Sequence, residues 1–413
     1  MVYVLNNDGK PLMPTNRHGK VKHLLKNKQA KVVSKCPFTI KLLYNTTNYT
    51  QDLTLGVDTG SGTLATAVSK DSGDVVYISE VEVRNDITNK MTQRRGYRRN
   101  RRSRKTRYRK ARFLNRKNSI KKDRFSPTMI SKIWSHIKEI EFIKSILPIN
   151  KLVLETGTFD THLMKNPEMN RHWGYQKGLN YGFENTKAMV LNRDNYTCQY
   201  CKNKYKDSKL EVHHIIFKSN GGSDEESNLI TLCHTCHYDL HHSLIKLTLK
   251  GKLKSTLKYA TQMNSIRMQL LRHYPEAIET FGYVTKANRQ LYDLSKEHYI
   301  DACVIASNIN KPNILTNILY QKKSISKGDY QQTKGSHSEK RIPTGKIMGF
   351  RKFDKVLYKG NQYFIKGRMS HGYAWLMNVK GEKVTFTNPK TPKLSLLTRI
   401  FARTSTLIIA NSI

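Results

Sequence analysis

Acidic residues are scarce in this 413-residue chain: 31 Asp plus Glu stand against 73 Lys plus Arg, a net charge of +42. From Ile87 to Lys122 there is no acid at all. So large an excess is far beyond what solubility requires and needs an acidic partner, a polyphosphate before any small metabolite. Long apolar runs are also missing. None approaches the roughly 18 residues that cross a bilayer, and the opening MVYVLNNDGK has no charged region followed by an apolar one. A cytoplasmic protein without a membrane partner is expected. Cysteine is limited to six residues, too few for a disulfide scaffold. Helix-turn-helix and zinc-finger arrays are lacking, so the chain carries no evident module for reading base sequence. With 38% hydrophobic and 9% aromatic residues there is still material for real cores.

Four of the cysteines fall as two pairs, Cys198-x-x-Cys201 and Cys233-x-x-Cys236. In a reducing compartment such spacing reads as one tetrahedral, structural Zn²⁺. Between and after the pairs lie Val212-His213-His214-Ile215, Asn228, and the words CHTCH and YDLHH. His213 and His214, adjacent on a strand, point to opposite faces, so one can meet a metal while the other faces a water. His237 and His241, four apart on a helix, share a face and can bind one ion.

Three isolated carboxylates form a second set. Asp58 ends the first of three β-rich runs (LTLGVDTG, TLATAVSK, VVYISEVEV), Glu155 ends the strand KLVLE, and Asp301 lies in the helix SKEHYIDACVIAS, one turn after His298. Two cations clamped by such acids would hold the attacking and leaving oxygens of a phosphodiester displacement, with His298 placed to take the water's proton.

Between these sets Gln93–Lys117 contains eleven arginines, including Arg94, Arg95, Arg98, Arg99, Arg101, Arg102, Arg104, Arg107, Arg109 and Arg112. No proline interrupts it, so one helix of about 25 residues, roughly 37 Å long, is predicted. Nucleic-acid phosphates are its expected contacts. A second helix is predicted over Pro127 to Leu147, capped by Ser126. The basic stretch 321–346 reads as a linker, and KVLYKGNQYFIKG and YAWLMNVKGEKVTF as two hairpins.

The Cys/His segment resembles the HNH (ββα-metal) nuclease family. The resemblance implies His214 as general base, Asn228 as the residue that holds the loop and orients His214, and His213, His237 and His241 around a Mg²⁺. GVDTG, LVLETG and HYIDA are similar to the three split motifs of a RuvC nuclease, implying two Mg²⁺ on Asp58, Glu155 and Asp301. Their nesting, with Pro11-Leu12-Met13-Pro14 near the start, resembles the IscB family of transposon-encoded RNA-guided nucleases. The fold so implied is α/β and multidomain: a ribonuclease-H-like (RuvC) core split in three, with an inserted arginine-rich bridge helix, a zinc-stabilised HNH domain and a small C-terminal β domain. The expected boundaries are 1–50 (PLMP), 51–90 (RuvC-I), 91–124 (bridge helix), 125–184 (RuvC-II), 185–248 (HNH), 249–320 (RuvC-III), 321–346 (linker) and 347–413 (flanking-motif reader). The resemblance further implies a structured guide RNA (omega RNA), one protein per RNA in a bacterial or archaeal cell, and a double-stranded DNA target with a short flanking motif. HNH would cut the guide-paired strand and RuvC the displaced one. An unguided homing-type or resolvase-like nuclease, and a non-catalytic RNA-binding protein, are the alternatives.

Overall fold

The computed structural model describes residues 1–103, 125–161, 163–164, 180–204, 207, 209–248, 257–308, 310–326 and 345–413. The chain forms two compact units, Met1–Gly157 with Gln262–Ile413, and Thr158–Thr261.

The first unit is organised by a mixed sheet. Leu53–Asp58, Thr63–Lys70 and Asp74–Glu82 form the antiparallel meander that the alternating runs predict. Lys151–Thr156 adds parallel to Leu53–Asp58, and Ile278–Phe281 parallel to Lys151–Thr156. On the other side Ile318–Ser324 pairs parallel with Asp74–Glu82 and antiparallel with Thr406–Ser412. The strand Leu53–Asp58 is buried on both faces. Leu53, Leu55 and Val57 join a core with Ile133, Ile137, Ile140 and Ile143. These isoleucines come from the helix Pro127–Lys144, which starts with Pro at its first turn and Ser126 accepting from Met129 N–H, as the sequence suggests.

The opposite face holds the helix His298–Ser307. It comes so near that a Cβ at Gly56 would stand 2.4 Å from the Ala306 backbone nitrogen, so only glycine fits there. Asp58, two residues on, faces the same helix by strand alternation. Glu155 is its register partner and therefore shares that face.

Several expectations are revised. Ile318–Ser324 is a strand running into the stretch read as linker, and Thr406–Ser412 closes the same sheet, so the chain's last strand belongs with the main sheet. YAWLMNVKGEKVTF does not fold as a second hairpin. Ala374–Met377 pairs back onto Asn361–Arg368, and a single bridge joins Met377 to Lys383. With Lys355–Tyr358 and Thr398–Phe401 this makes a four-stranded sheet around Val356, Ile365 and Leu376. Residues 1–50, which show little periodicity, fold as four strands and the helix His18–Lys26 around Val2, Val4, Val21 and Ile40. The arginine-rich helix begins earlier than predicted and is described from Ile87 to Ser103. Arg104, Arg107, Arg109 and Arg112 lie outside the described residues. The Pro127 helix ends at Lys144, before Leu147.

In the second unit, Leu210–His214 pairs antiparallel with Leu229–Cys233, and the helix His234–His241 follows at once. Helix Thr186–Arg193 is tied on by Asp194, whose carboxylate accepts from Thr231 N–H, and by Arg193, which donates to the carbonyls of Glu226 and Leu229. Among the described residues no helix is long and apolar enough to cross a membrane.

Candidate active sites

Two constellations of chemically active side chains emerge, one in each unit. In the second unit the four cysteine sulfurs of Cys198, Cys201, Cys233 and Cys236 all lie within 4.8 Å of one another. Cys201 and Cys233 are 3.7 Å apart, close to the edge of about 3.8 Å expected for a tetrahedron with 2.3 Å Zn–S bonds. None is in a disulfide. Burial and the crowding of sulfur on sulfur push the Cys233 and Cys236 thiols up, the strain that a dication relieves by taking them as thiolates.

Beside this knot the strand pair and helix bring His213, His237 and His241 together, with potential ligand nitrogens within 4.8 Å and ring centroids 4.7 to 5.0 Å apart. Burial, then the neighbouring imidazoles, pull His213 down to about 4, and burial lowers His237, so these rings favour the neutral form in which imidazole binds metals. The buried Nδ1 of His213 has no hydrogen-bond partner among the described residues, which fits a ligand atom. Glu211 Oε2 lies 2.7 Å from His237 Nδ1. A carboxylate there fixes the ring's tautomer and presents its other nitrogen.

His214 points away from this cluster, as adjacent strand positions must. Its Nε2 lies 2.9 Å from Asp224 Oδ1, and Lys218 approaches the same oxygen at 2.7 Å. Asn228 is fully buried and holds the loop: its Oδ1 accepts from Ile216 N–H, and its Nδ2 donates to the carbonyls of Ile216 and Ser223. The hydrogen bond that orients His214 comes from Asp224, a residue the sequence reading passed over. Glu211 was also passed over, although its spacing of two from His213 on a strand signals a shared face.

In the first unit the sequence-predicted carboxylates converge. Asp58 and Glu155 are Cα partners, and Thr59 donates through its hydroxyl to the Glu155 carbonyl at 2.6 Å. His298, at the start of its helix, places Nδ1 2.8 Å from Asp58 Oδ2, and Asp301 follows one turn later. Burial pushes Glu155 up to about 7, opposed by a hydrogen bond from Thr285 and reinforced by the charges of Asp58 and Asp301. Asp301 is raised by burial against the pull of Arg289, whose Nε is 2.9 Å away but poorly aligned for a hydrogen bond. His298 is raised first by its bond to Asp58. Glu80, raised by burial, accepts from Tyr299 N–H at 3.3 Å. Arg289, Thr285 and Glu80 had no motif to announce them. Of the arginines, Arg94, Arg95, Arg98 and Arg99 are exposed on the described helix.

Comparison with known proteins adds two family matches: residues 2–178 fit the RRXRR protein family and residues 198–243 the HNH endonuclease family. The chain thus carries an RRXRR segment and, beyond it, an HNH endonuclease segment. Its relatives include the type IV methyl-directed restriction enzyme EcoKMcrA of Escherichia coli, 41% identical over 63 residues, covering 14% of this chain and 23% of the enzyme. Anaredoxin of Nostoc is 37% identical over 67 residues, 16% of this chain and 86% of that one. The crystal structure of Streptococcus thermophilus Cas9 in complex with the AGAA PAM superposes over 44% of this chain and 26% of its own, with 13% identity and a TM-score of 0.28, too low to bear on fold or function. The chain thus spans less than a third of the restriction enzyme and of the Cas9 chain.

Proposed function

We propose that the protein is an RNA-guided, double-strand DNA endonuclease in which the HNH unit cuts the guide-paired strand and a RuvC-like site cuts the displaced strand. The observation that carries this reading is the presence of two complete, chemically different constellations in two separate units: imidazoles with an oriented histidine in one, three converging carboxylates with a histidine in the other. A single-strand hydrolase needs one.

In the HNH unit, Asp224 accepts the Nε2 proton of His214, which leaves the Nδ1 lone pair to take a proton from water. His213, His237 and His241 would hold one divalent ion, which supplies charge stabilisation for the phosphate. Three neutral imidazoles suit a borderline transition metal better than the oxygen-seeking Mg²⁺ that the family resemblance implies. In the RuvC-like site, Asp58, Glu155 and Asp301 offer the hard oxygen donors that Mg²⁺ takes, and the buried Glu155 Oε2 has no hydrogen-bond partner among the described residues, as a ligand oxygen should. Two Mg²⁺ ions there would clamp the attacking and leaving oxygens. Asp58 raises the basicity of His298, the proposed acceptor of the water's proton. Arg289 stands beside Asp301 to offset the negative charge gathered there.

The arginine-rich helix, read as a bridge helix, supplies sequence-independent phosphate contacts. Sequence choice is then left to base pairing by a structured RNA, with the C-terminal sheet reading a short flanking motif. The test is to sequence RNA that copurifies with the chain, replace its guide segment and map the cut in Mg²⁺ and Mn²⁺. A cut that follows the new guide supports the proposal. RNA-free protein cutting one fixed site equally well would favour the homing-type reading, to which the likeness to a restriction enzyme also points.

A further inference from the structure

A cavity of about 1050 Å³ opens in the first unit. None of Asp58, Glu155, His298 or Asp301 lines it. Its walls come from the first 50 residues, the helix Pro127–Lys144, the paired strands Ile318–Ser324 and Thr406–Ser412, and the C-terminal sheet. It lies at the upper end of the size range of ordinary ligand cavities.

Its charge is unbalanced in one particular place. Lys322 is buried but satisfied: its ammonium lies 2.5 Å from Glu139 Oε1 and 2.7 Å from the Tyr77 hydroxyl. Arg84 is paired with Asp86. Lys355 is only 4% exposed and, among the described residues, donates to a single acceptor, the Ile408 carbonyl at 2.9 Å, and forms no ion pair with a carboxylate. Cys36 lines the same cavity, but burial pushes its thiol up, so it is no counter-ion. Burial also lowers Lys355 itself, the sign of an ammonium short of partners. A buried cation with one neutral acceptor is costly until an anion joins it.

Five aromatic side chains, Trp134, Phe142, Phe353, Phe364 and Phe401, also line the cavity. Phe353, Phe364 and Phe401 share the cavity wall with Lys355, whose Nζ lies 5.9 Å from the Phe364 ring centre and 5.7 Å from that of Phe401. Trp134, 51% exposed, projects from a helix whose inner face is fully packed. Lys138, one turn further along, is exposed and also lines the cavity. A half-exposed tryptophan, a phenylalanine wall and an uncompensated buried ammonium together match a ligand that is flat and aromatic at one end and anionic at the other.

We propose that this cavity holds one unstacked nucleotide of a bound polynucleotide strand, its base against Trp134 and the phenylalanines and its phosphate on Lys355. Stacking on aromatic rings tolerates any base, and Lys138 at the wall serves an adjoining phosphate. The nucleotide chemistry stands on the cavity alone; the assignment to a strand rests on the nucleic-acid reading above.

The test is equilibrium dialysis of the full chain with radiolabelled AMP. Saturable binding is expected, with adenosine and ribose 5-phosphate competing at least tenfold more weakly. Lys355→Met should weaken AMP at least tenfold and leave adenosine competition unchanged, while Trp134→Ala, a change at an exposed position, should weaken both. A hairpin RNA with one bulged adenosine should displace AMP, and the same hairpin fully paired should not. No saturable AMP binding, or wild-type AMP affinity in a folded Lys355→Met protein, overturns the proposal. AMP binding that the bulged hairpin fails to displace overturns the strand assignment and gives the cavity to a free nucleotide; cleavage of guided DNA would be unaffected by that result.

Discussion

Asp58 and Glu155 stand opposite each other on adjacent parallel strands, carboxylate beside carboxylate on the face that receives the helix bearing Asp301. Two like charges held so close in a partly buried place are unfavourable without a cation; burial first, and then the charges of Asp58 and Asp301, push Glu155 up to about 7. Nothing in the packing of the hydrophobic core calls for acids at these positions. The arrangement is one that a fold keeps for chemistry.

The zinc knot predicts its own metal content. Purified protein should carry about one Zn²⁺ per chain beyond any ion at the histidine cluster. Cys201→Ser should lose it and raise hydrogen exchange across the second unit while leaving the sheet of the first protected. Retention of stoichiometric zinc by Cys201→Ser would rule out the four-cysteine site.

The histidine cluster predicts sensitivity to its carboxylate neighbour. Glu211→Gln should weaken transition-metal binding about 10- to 100-fold, followed with Co²⁺ by absorption spectroscopy on zinc-loaded protein. His237→Ala should abolish it. Unchanged Co²⁺ affinity in Glu211→Gln would remove that residue from the metal's support.

The arginine helix predicts an effect on affinity and none on chemistry. Changing the exposed Arg94, Arg95, Arg98 and Arg99 to Ala removes four potential phosphate contacts. The slope of log K against log salt should flatten by up to about four units, while bound complex still cuts at nearly the normal rate. An unaltered slope would make the helix a solvated rod.

His136 predicts an acid weakness. It is fully buried, with Nδ1 2.8 Å from the Lys132 carbonyl, and burial pulls it down to about 4 from an ordinary 6.5. Between these values the unfolded chain binds a proton that the folded chain refuses. Stability is therefore complete above pH 6.5 and falls as the pH drops toward 4, by about 3 kcal/mol from this group. Denaturant unfolding of His136→Leu across the same range should show a shallower pH dependence than the parent. Parallel curves would contradict the assignment.

Much of this was legible in the sequence because the signals are local. Alternation revealed the meander, Ser126-Pro127 announced the helix, and CxxC spacing brought the four sulfurs together before any coordinates. The converging acids were readable only as separate strand and helix ends; their register, Asp58 with Glu155, is a long-range property of the sheet. Residues 1–50 hid their strands because Pro11–Thr15 lacks a clear alternation and is only half-buried. The last strand, Thr406–Ser412, could not be placed from its neighbours in sequence, since its partner lies in Ile318–Ser324. Asp224, Glu80 and Arg289 were invisible for a similar reason. Each acts through a partner that only folding brings near, except that Asp224 sits ten residues from His214 across a loop pinned by Asn228.

The account stands most directly on the independence of its two cutting sites. A guided complex assembled on a target duplex with differently labelled strands should be compared for the parent, His214→Ala, Asp58→Ala and Asp301→Ala proteins. The account predicts that His214→Ala leaves the guide-paired strand whole and the displaced strand cut, and that either aspartate variant does the reverse, with binding unchanged in all. If one class of variant, still bound to its target, abolished both cuts, the two constellations would not be separate active sites.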